Sequence, residues 1–328
     1  MHIPDGYLSP ATAGTLYAAA APFWFIASRK TKALLSGRLV PTMALLSAFC
    51  FVIQMINIPL PGGTTGHAVG ASLAAIVLSP WPAVIAVSIA LVIQAFFFGD
   101  GGITAIGANC WNMAIVQVFA TYYIYRIIPG GKWVAAVAAY IAVNVSGLFA
   151  AVELGLQPLL AQAPDGTPLY APYPLSITLP AVVGAHLLAG LVEAIVTVGA
   201  LAFLRRSAPE LLTPLTMQTS VQDSFWTRIR LAWIVIAVLI FITPVGLLAP
   251  GTAWGEWSAT QLHDAGLGFI PQGMQKWENF WQAAFADYSI PGLGEQTGYA
   301  VSAILGISFI LLVTYGLSFL AKRSASKT

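Results

Sequence analysis

Apolar stretches about as long as a membrane is thick recur along almost the whole chain, and they limit its fold more than any other feature. They lie at about 11–28, 39–58, 66–79, 81–98, 103–127, 132–154, 178–204, 230–248 and 299–321. A helix rises 1.5 Å per residue, so about 20 mostly apolar residues cross the hydrocarbon core. Such a segment must satisfy its own backbone polar groups, which a helix does. The chain is therefore predicted to be an all-α polytopic membrane bundle of about nine transmembrane helices. Only 8% of its 328 residues are charged, against about 25% in soluble domains. Cys50 and Cys110 both fall inside apolar stretches, which predicts buried thiols rather than a disulfide framework. A net charge of +2 without a basic run argues against nucleic acid as a partner.

Between the third and fourth stretches stands SPWP, Ser79 to Pro82. Proline removes a donor and clashes with the preceding turn, so 66–98 reads as a tight helical hairpin. Lys and Arg set the orientation. With the N-terminus outside, Arg29, Lys30, Lys32, Arg38, Arg126, Lys132, Arg205, Arg206, Arg228, Arg230 and the tail all lie inside, leaving Lys276 outside among 14 basic residues. That predicts a multi-pass inner-membrane protein with a cytoplasmic C-terminus. Most carboxylates fall on the outer side, from Asp5 and Asp100 to Glu295. Two explanations stay open: an outer surface that gathers cations, or an inner side emptied of acids. After about 205 the texture changes. Residues 1–205 read as one unit, 206–230 as a cytoplasmic linker, and 231–328 as a module of two spans joined by an external loop rich in Trp and Gly.

The chain opens MHIPDGYLSP, with no basic run or apolar core of a secretory signal. The Met1 amine, the His2 amide nitrogen and His2 Nδ1 can close a five- and a six-membered chelate ring on one ion. His67, in PGGTTGHAVG, is the natural fourth nitrogen donor, brought close by a loop made flexible by Pro61, Gly62, Gly63 and Gly66. Nitrogens in a square plane suit Ni(II) or Cu(II), with Co(II) also possible. The plainer alternative is a solvated terminal His2 and a packing or capping His67.

Three further stretches carry polar residues toward the same side. Asp100 sits in the Gly-rich turn FGDGG, and Asn109 and Asn112, three apart in a helix, are suited to hydrogen bonds between helices or to orienting a ligand. In HLLAGLVEAIVT, His186, Gly190 and Glu193 share one helical face. Glu193 reads as the one clear charge in mid-membrane, either functional or a hydrogen-bond anchor. ADYSIPGLG, before the last span, reads by itself as a turn. There is no P-loop, HExxH, GxSxG or CxxC motif. No enzyme activity is expected, and any energy for transport must come from partners or an ion gradient.

Together, MHIPDGYLSP, PGGTTGHAVGASLAAIVLSPWPAV, FGDGGITAIGANCWNM and HLLAGLVEAIVT resemble the NikM/CbiM family, the substrate-binding S components of nickel and cobalt energy-coupling-factor transporters. The resemblance covers 1 to about 205, and 231–321 resembles a fused NikN-type subunit. It implies a seven-helix metal binder whose ligands are Met1, His2 and His67, with no cofactor and Ni2+ or alternatively Co2+ as cargo. It also implies a transmembrane T component and cytoplasmic ATPases as partners. The square plane and the fused small subunit favour nickel. A stand-alone secondary carrier, an intramembrane metalloprotease and a metal sensor are the rival classes.

Overall fold

A computed structural model of the chain describes residues 2–33, 38–61, 63–212, 222–253 and 255–325. Helix α1 (Pro10–Ala33) and α2 (Leu39–Gln54) are followed by a short hairpin of β1 (Ile58–Leu60) and β2 (Thr64–Gly66). Then come α3 (Ala71–Leu78), α4 (Pro80–Ile93), α5 (Ile106–Asn109), α6 (Gln117–Ile127), α7 (Lys132–Gly155) and α8 (Gln157–Leu160). The long α9 (Leu175–Ser207) and α10 (Gln222–Ile242) precede the small outer helices α11 (Ala259–Asp264) and α12 (Gln272–Trp277), and α13 (Glu295–Ala325) ends the chain.

Among the described residues, Pro80–Phe98, Trp133–Leu160, Leu175–Ser207, Phe225–Leu248 and Glu295–Ala321 are long and apolar enough to cross a membrane. Their outward faces remain apolar, with Ile195 71% and Phe241 83% exposed. Water would penalise such a surface and lipid does not. The protein is a helical membrane protein.

Two expectations change in the structure. The third apolar stretch forms a helix only over the 8 residues of α3, about 12 Å long, and His67 stands before it in non-helical chain. The break at SPWP is as expected, with Ser79 at φ 64° between α3 and α4. The Gly-rich stretch that includes Gly63 and Gly66 is not a slack loop. Its backbone pairs antiparallel in the β1–β2 hairpin, Ile58 opposite Gly66 and Leu60 opposite Thr64, which ties down the residue before His67. Gly62 lies outside the described residues, as do 213–221 of the linker.

Most of the core is one cluster built from α2, α3, α4 and the helices around them. Cys50 and Cys110 are free and buried within it. A second cluster sits at the N-terminal segment, where Ile3, Tyr7 and Leu8 pack with Leu154, Leu262 and Met274. Burying each such side chain contributes about 1.5–3 kcal/mol. Helix α13 seats against α2 because Gly306 leaves room for Phe51: a Cβ there would fall 2.1 Å from Phe51 Cζ. Gly306→Ala is therefore expected to cost about 1–3 kcal/mol, read as a lower midpoint of thermal unfolding in detergent. Gly316→Ala, which points into open space on the same helix, should show no such loss.

Candidate metal centre

The N-terminal segment turns back into the protein as irregular chain. Asn109 grips it from α5: Asn109 Oδ1 accepts from Ile3 N at 2.8 Å, and Asn109 Nδ2 donates to Ile3 O at 3.1 Å. Gly102 N also donates to Ile3 O at 2.9 Å. Asp5 Oδ1 accepts from Thr104 N and Thr104 Oγ1 at 2.7 and 2.5 Å. Further along, Ser9 N donates to Gln157 Oε1 at 2.9 Å and Ala171 N to Tyr7 O at 3.0 Å. The segment between α10 and α13 closes over it, with Tyr7 Oη donating to Trp257 O at 2.7 Å. The result is that His2 is 3% exposed.

Gln54, at the end of α2, sets the His2 ring. Its Nε2 donates to Val69 O at 3.1 Å, so its Oε1 faces the ring and accepts from His2 Nε2 at 2.9 Å. That leaves His2 Nδ1 facing Asp100, whose Oδ1 lies 2.5 Å away at ion-pair distance. A positive charge at this point, a ring proton or a bound cation, turns the lone pair and the carboxylate from a repulsive pair into an attractive one. Burial pushes the Asp100 carboxyl up, but the His2 ring, then His67 and then Tyr288 outweigh it and hold the group below the ordinary range.

His67 lies against His2, ring centroids 5.1 Å apart and planes inclined by 24°. His67 Nδ1 donates to Ala68 O at 3.1 Å, leaving Nε2 as the lone-pair nitrogen. Burial pushes this ring down to about 3, so it is neutral at neutral pH, the form that ligates metals. Its loop is held from below by Glu193. The Glu193 carboxylate accepts from Val69 N at 2.7 Å, Gly70 N at 3.0 Å, Ser72 N at 3.4 Å and Gln117 Nε2 at 3.1 Å. Of the two readings open from sequence, the contacts are those of the anchor. A buried carboxylate fits here because it meets the unsatisfied amides and positive end of α3.

The other polar residues divide. Asn112 does not join Asn109. Its Nδ2 donates to Glu153 Oε2 on α7 at 2.8 Å. Glu153 is 8% exposed, so Glu193 is not the one buried carboxylate within the helices. His186 lines a small cavity of about 40 Å³ with His2 and His67, but its Nδ1 donates to Val182 O on its own helix at 2.7 Å. His263 is exposed on α11, 3.5 Å from Asp264. Met1 lies outside the described residues. Among the described residues no three His, Cys, Asp or Glu side chains gather as a metal cage, so side chains alone do not complete a ligand set. Sequence reasoning missed Gln54 and Tyr288. The first sits in an apolar helix without a local motif, and the second is 188 residues from its partner Asp100.

Beside the histidines opens a chamber of about 450 Å³, lined by Asp100, Glu256, Asp287 and Glu295 among others. A buried pair of imidazoles thus stands beside a carboxylate at one end of a membrane helix bundle. Residues 2–211 match the family described as CbiM, cobalt uptake substrate-specific transmembrane region, and 228–323 match the PDGLE domain. The chain belongs to the CbiM family, whose members are metal transport proteins and not enzymes.

It is 43% identical over 352 residues to the fused nickel transport protein NikMN of Rhodobacter capsulatus, covering 99% of this chain and 100% of that one. The probable fused nickel transport protein LarMN of Lactiplantibacillus plantarum is 43% identical, with 97% of each chain covered. The cobalt transport protein CbiM of Geobacter sulfurreducens is 30% identical over 78% of this chain and 74% of its own. Among solved structures, a truncated transition metal transporter superposes with a TM-score of 0.61 at 47% identity, covering 63% of this chain and 99% of that one.

Contacts that orient a ligating histidine typically contribute 10–100-fold to metal affinity. If His2 ligates a metal, Gln54→Leu, which removes the acceptor on His2 Nε2, is expected to weaken binding of nickel(II) as probe by about that factor. Competition against a chromogenic chelator on the purified protein would measure it.

Proposed function

We propose that this protein is the substrate-binding membrane component of an ATP-driven importer of the energy-coupling-factor type, with nickel as its cargo. The observation that carries the reading is His2 Nδ1, buried and turned toward the Asp100 carboxylate while Gln54 occupies the other ring nitrogen. That is the tautomer an N-terminal chelate requires. The Met1 amine, the His2 amide and His2 Nδ1 supply three nitrogens, and His67 Nε2 the fourth. Backbone nitrogens are what such a site needs where, among the described residues, side chains alone form no cage. Four nitrogens in a plane favour nickel over cobalt by d-electron preference, and the relatives from Rhodobacter capsulatus and Lactiplantibacillus plantarum are described as nickel transport proteins. Cobalt is the second reading, favoured by the description of the matching family. Copper binds such donors more tightly than either, so selection in the cell rests on supply and fit.

In this reading the chain crosses the membrane nine times, with the N-terminus outside and the short α3 entering only part of the way. Residues 1–205 hold the metal, 206–230 form a cytoplasmic linker, and 231–328 form the appended module. Asp100, Asn109 and Glu193 position the ligands. Asn112 and His186 have structural roles. The acidic chamber favours the cation-gathering explanation of the outer carboxylates. A separate T component and cytoplasmic ATPases supply the work, in keeping with the lack of a P-loop in the sequence.

One added Gly before Met1 shifts the amine out of chelate register, so tight nickel binding should be lost; unchanged affinity would falsify the chelate. His67→Ala should weaken binding more than His263→Ala, and the opposite order would move the fourth ligand elsewhere. In proteoliposomes, nickel uptake should require the T component and ATPases with ATP. Uptake at full rate by this chain alone would identify a stand-alone carrier.

A further inference from the structure

Among the contacts that the module after the linker makes at the metal site, one is a side-chain hydrogen bond from Tyr288. Tyr288 follows Asp287 in a turn where both residues have positive φ, 52° at Asp287 and 56° at Tyr288. Side chains disfavour this region, and residues held there cluster at sites where the geometry is used. Here the turn drives Tyr288 inward. The ring stacks on Phe98 with centroids 5.0 Å apart, and Phe51 meets it edge-on at 6.1 Å. Ser302 Oγ on α13 donates to Tyr288 O at 2.8 Å. Burial and the neighbouring Asp100 push the phenol well above its ordinary range, so it remains a donor.

Tyr288 Oη donates to Asp100 Oδ2 at 2.5 Å, and Gln94 Nε2 donates to Tyr288 Oη at 3.2 Å. The other Asp100 oxygen is the one 2.5 Å from His2 Nδ1. A carboxylate at the end of a short aliphatic stem rotates freely unless something holds it. The phenol pins one oxygen and so directs the second at the ligating nitrogen.

We propose that Tyr288 is a positioning residue for the metal site, acting through Asp100, so that the C-terminal module completes the site that the N-terminal unit carries. The negative charge facing His2 Nδ1 then depends on a residue nearly the whole chain away. The inference rests on the proposed His2 and His67 site. It concerns how firmly that site retains an ion, not whether the ion binds there.

The test is a double-mutant cycle on the purified full-length chain with nickel(II) as probe, reading affinity by chelator competition and release by stopped-flow transfer to excess chelator. Tyr288→Phe keeps the ring and its stacking and removes only the hydroxyl. It is expected to weaken nickel binding by about 10-fold, with faster release, a size typical of contacts behind a metal ligand. The decisive arm is Asp100→Asn. If Tyr288 acts through Asp100, Tyr288→Phe should change affinity by less than about 2-fold in the Asp100→Asn background. The same 10-fold loss in both backgrounds would mean a merely structural effect and overturn the proposal, as would unaltered affinity in Tyr288→Phe itself. His67→Ala separates the two levels. If it abolishes binding while Tyr288→Phe does nothing, the site stands and the positioning role falls. If neither variant changes binding, the site reading falls and the positioning role with it.

Discussion

The constraint on which the rest of this structure depends is the burial of residues 2–9 as irregular chain among helices. Backbone without helix or strand bonds must find other partners, and each amide or carbonyl left unpaired in the interior costs about 1–3 kcal/mol. Partners come from several elements at once: Asn109, Gly102, Gln157 and Ala171. Close approach does the rest. A Cβ at Gly102 would lie 2.2 Å from Asp5 N, and one at Gly6 would lie 2.6 Å from Met274 O. These two glycines let the chain thread inward and the outer segment close over it.

His2 and His67 reach each other by different physics. The first is delivered by the threaded terminus. The second is delivered by the N-terminus of α3, where the amides of Val69, Gly70 and Ser72 converge on the Glu193 carboxylate. Gln54 joins the two systems, holding Val69 with one end of its amide and His2 with the other. Wide π-helical turns occur at Gln94–Phe98 and Cys110–Val116, on either side of the turn that carries Asp100. Such turns re-aim side chains at functional sites, and here Gln94 reaches Asp100 and Tyr288.

The outer segment between α10 and α13 is folded onto the rest of the molecule. Trp281 Nε1 donates to Phe96 O at 2.8 Å, Phe285 N to Phe97 O at 2.9 Å and Met274 N to Leu169 O at 2.9 Å. These three bonds go to backbone of other elements, which makes the segment a cover rather than a free arm. The chamber at its edge keeps carboxylates from both halves of the chain around one space.

By itself the sequence determined the features that composition and local chemistry dictate. Apolar runs with few charges require membrane helices, SPWP requires a break, and a histidine at position 2 with another in a Gly-rich turn names nitrogen ligation as a candidate chemistry. Tertiary structure decided the features that depend on meetings across the chain. The length of α3 and the pairing of the β1–β2 hairpin were settled by packing, not by hydropathy. Glu193 became an anchor because the amides of α3 face it. Asn109 and Asn112 share a helical spacing but found partners on different elements. Gln54 and Tyr288 carry no signal in their own neighbourhoods, since a polar residue's role is set by the group it meets, and those groups are brought together only by the fold.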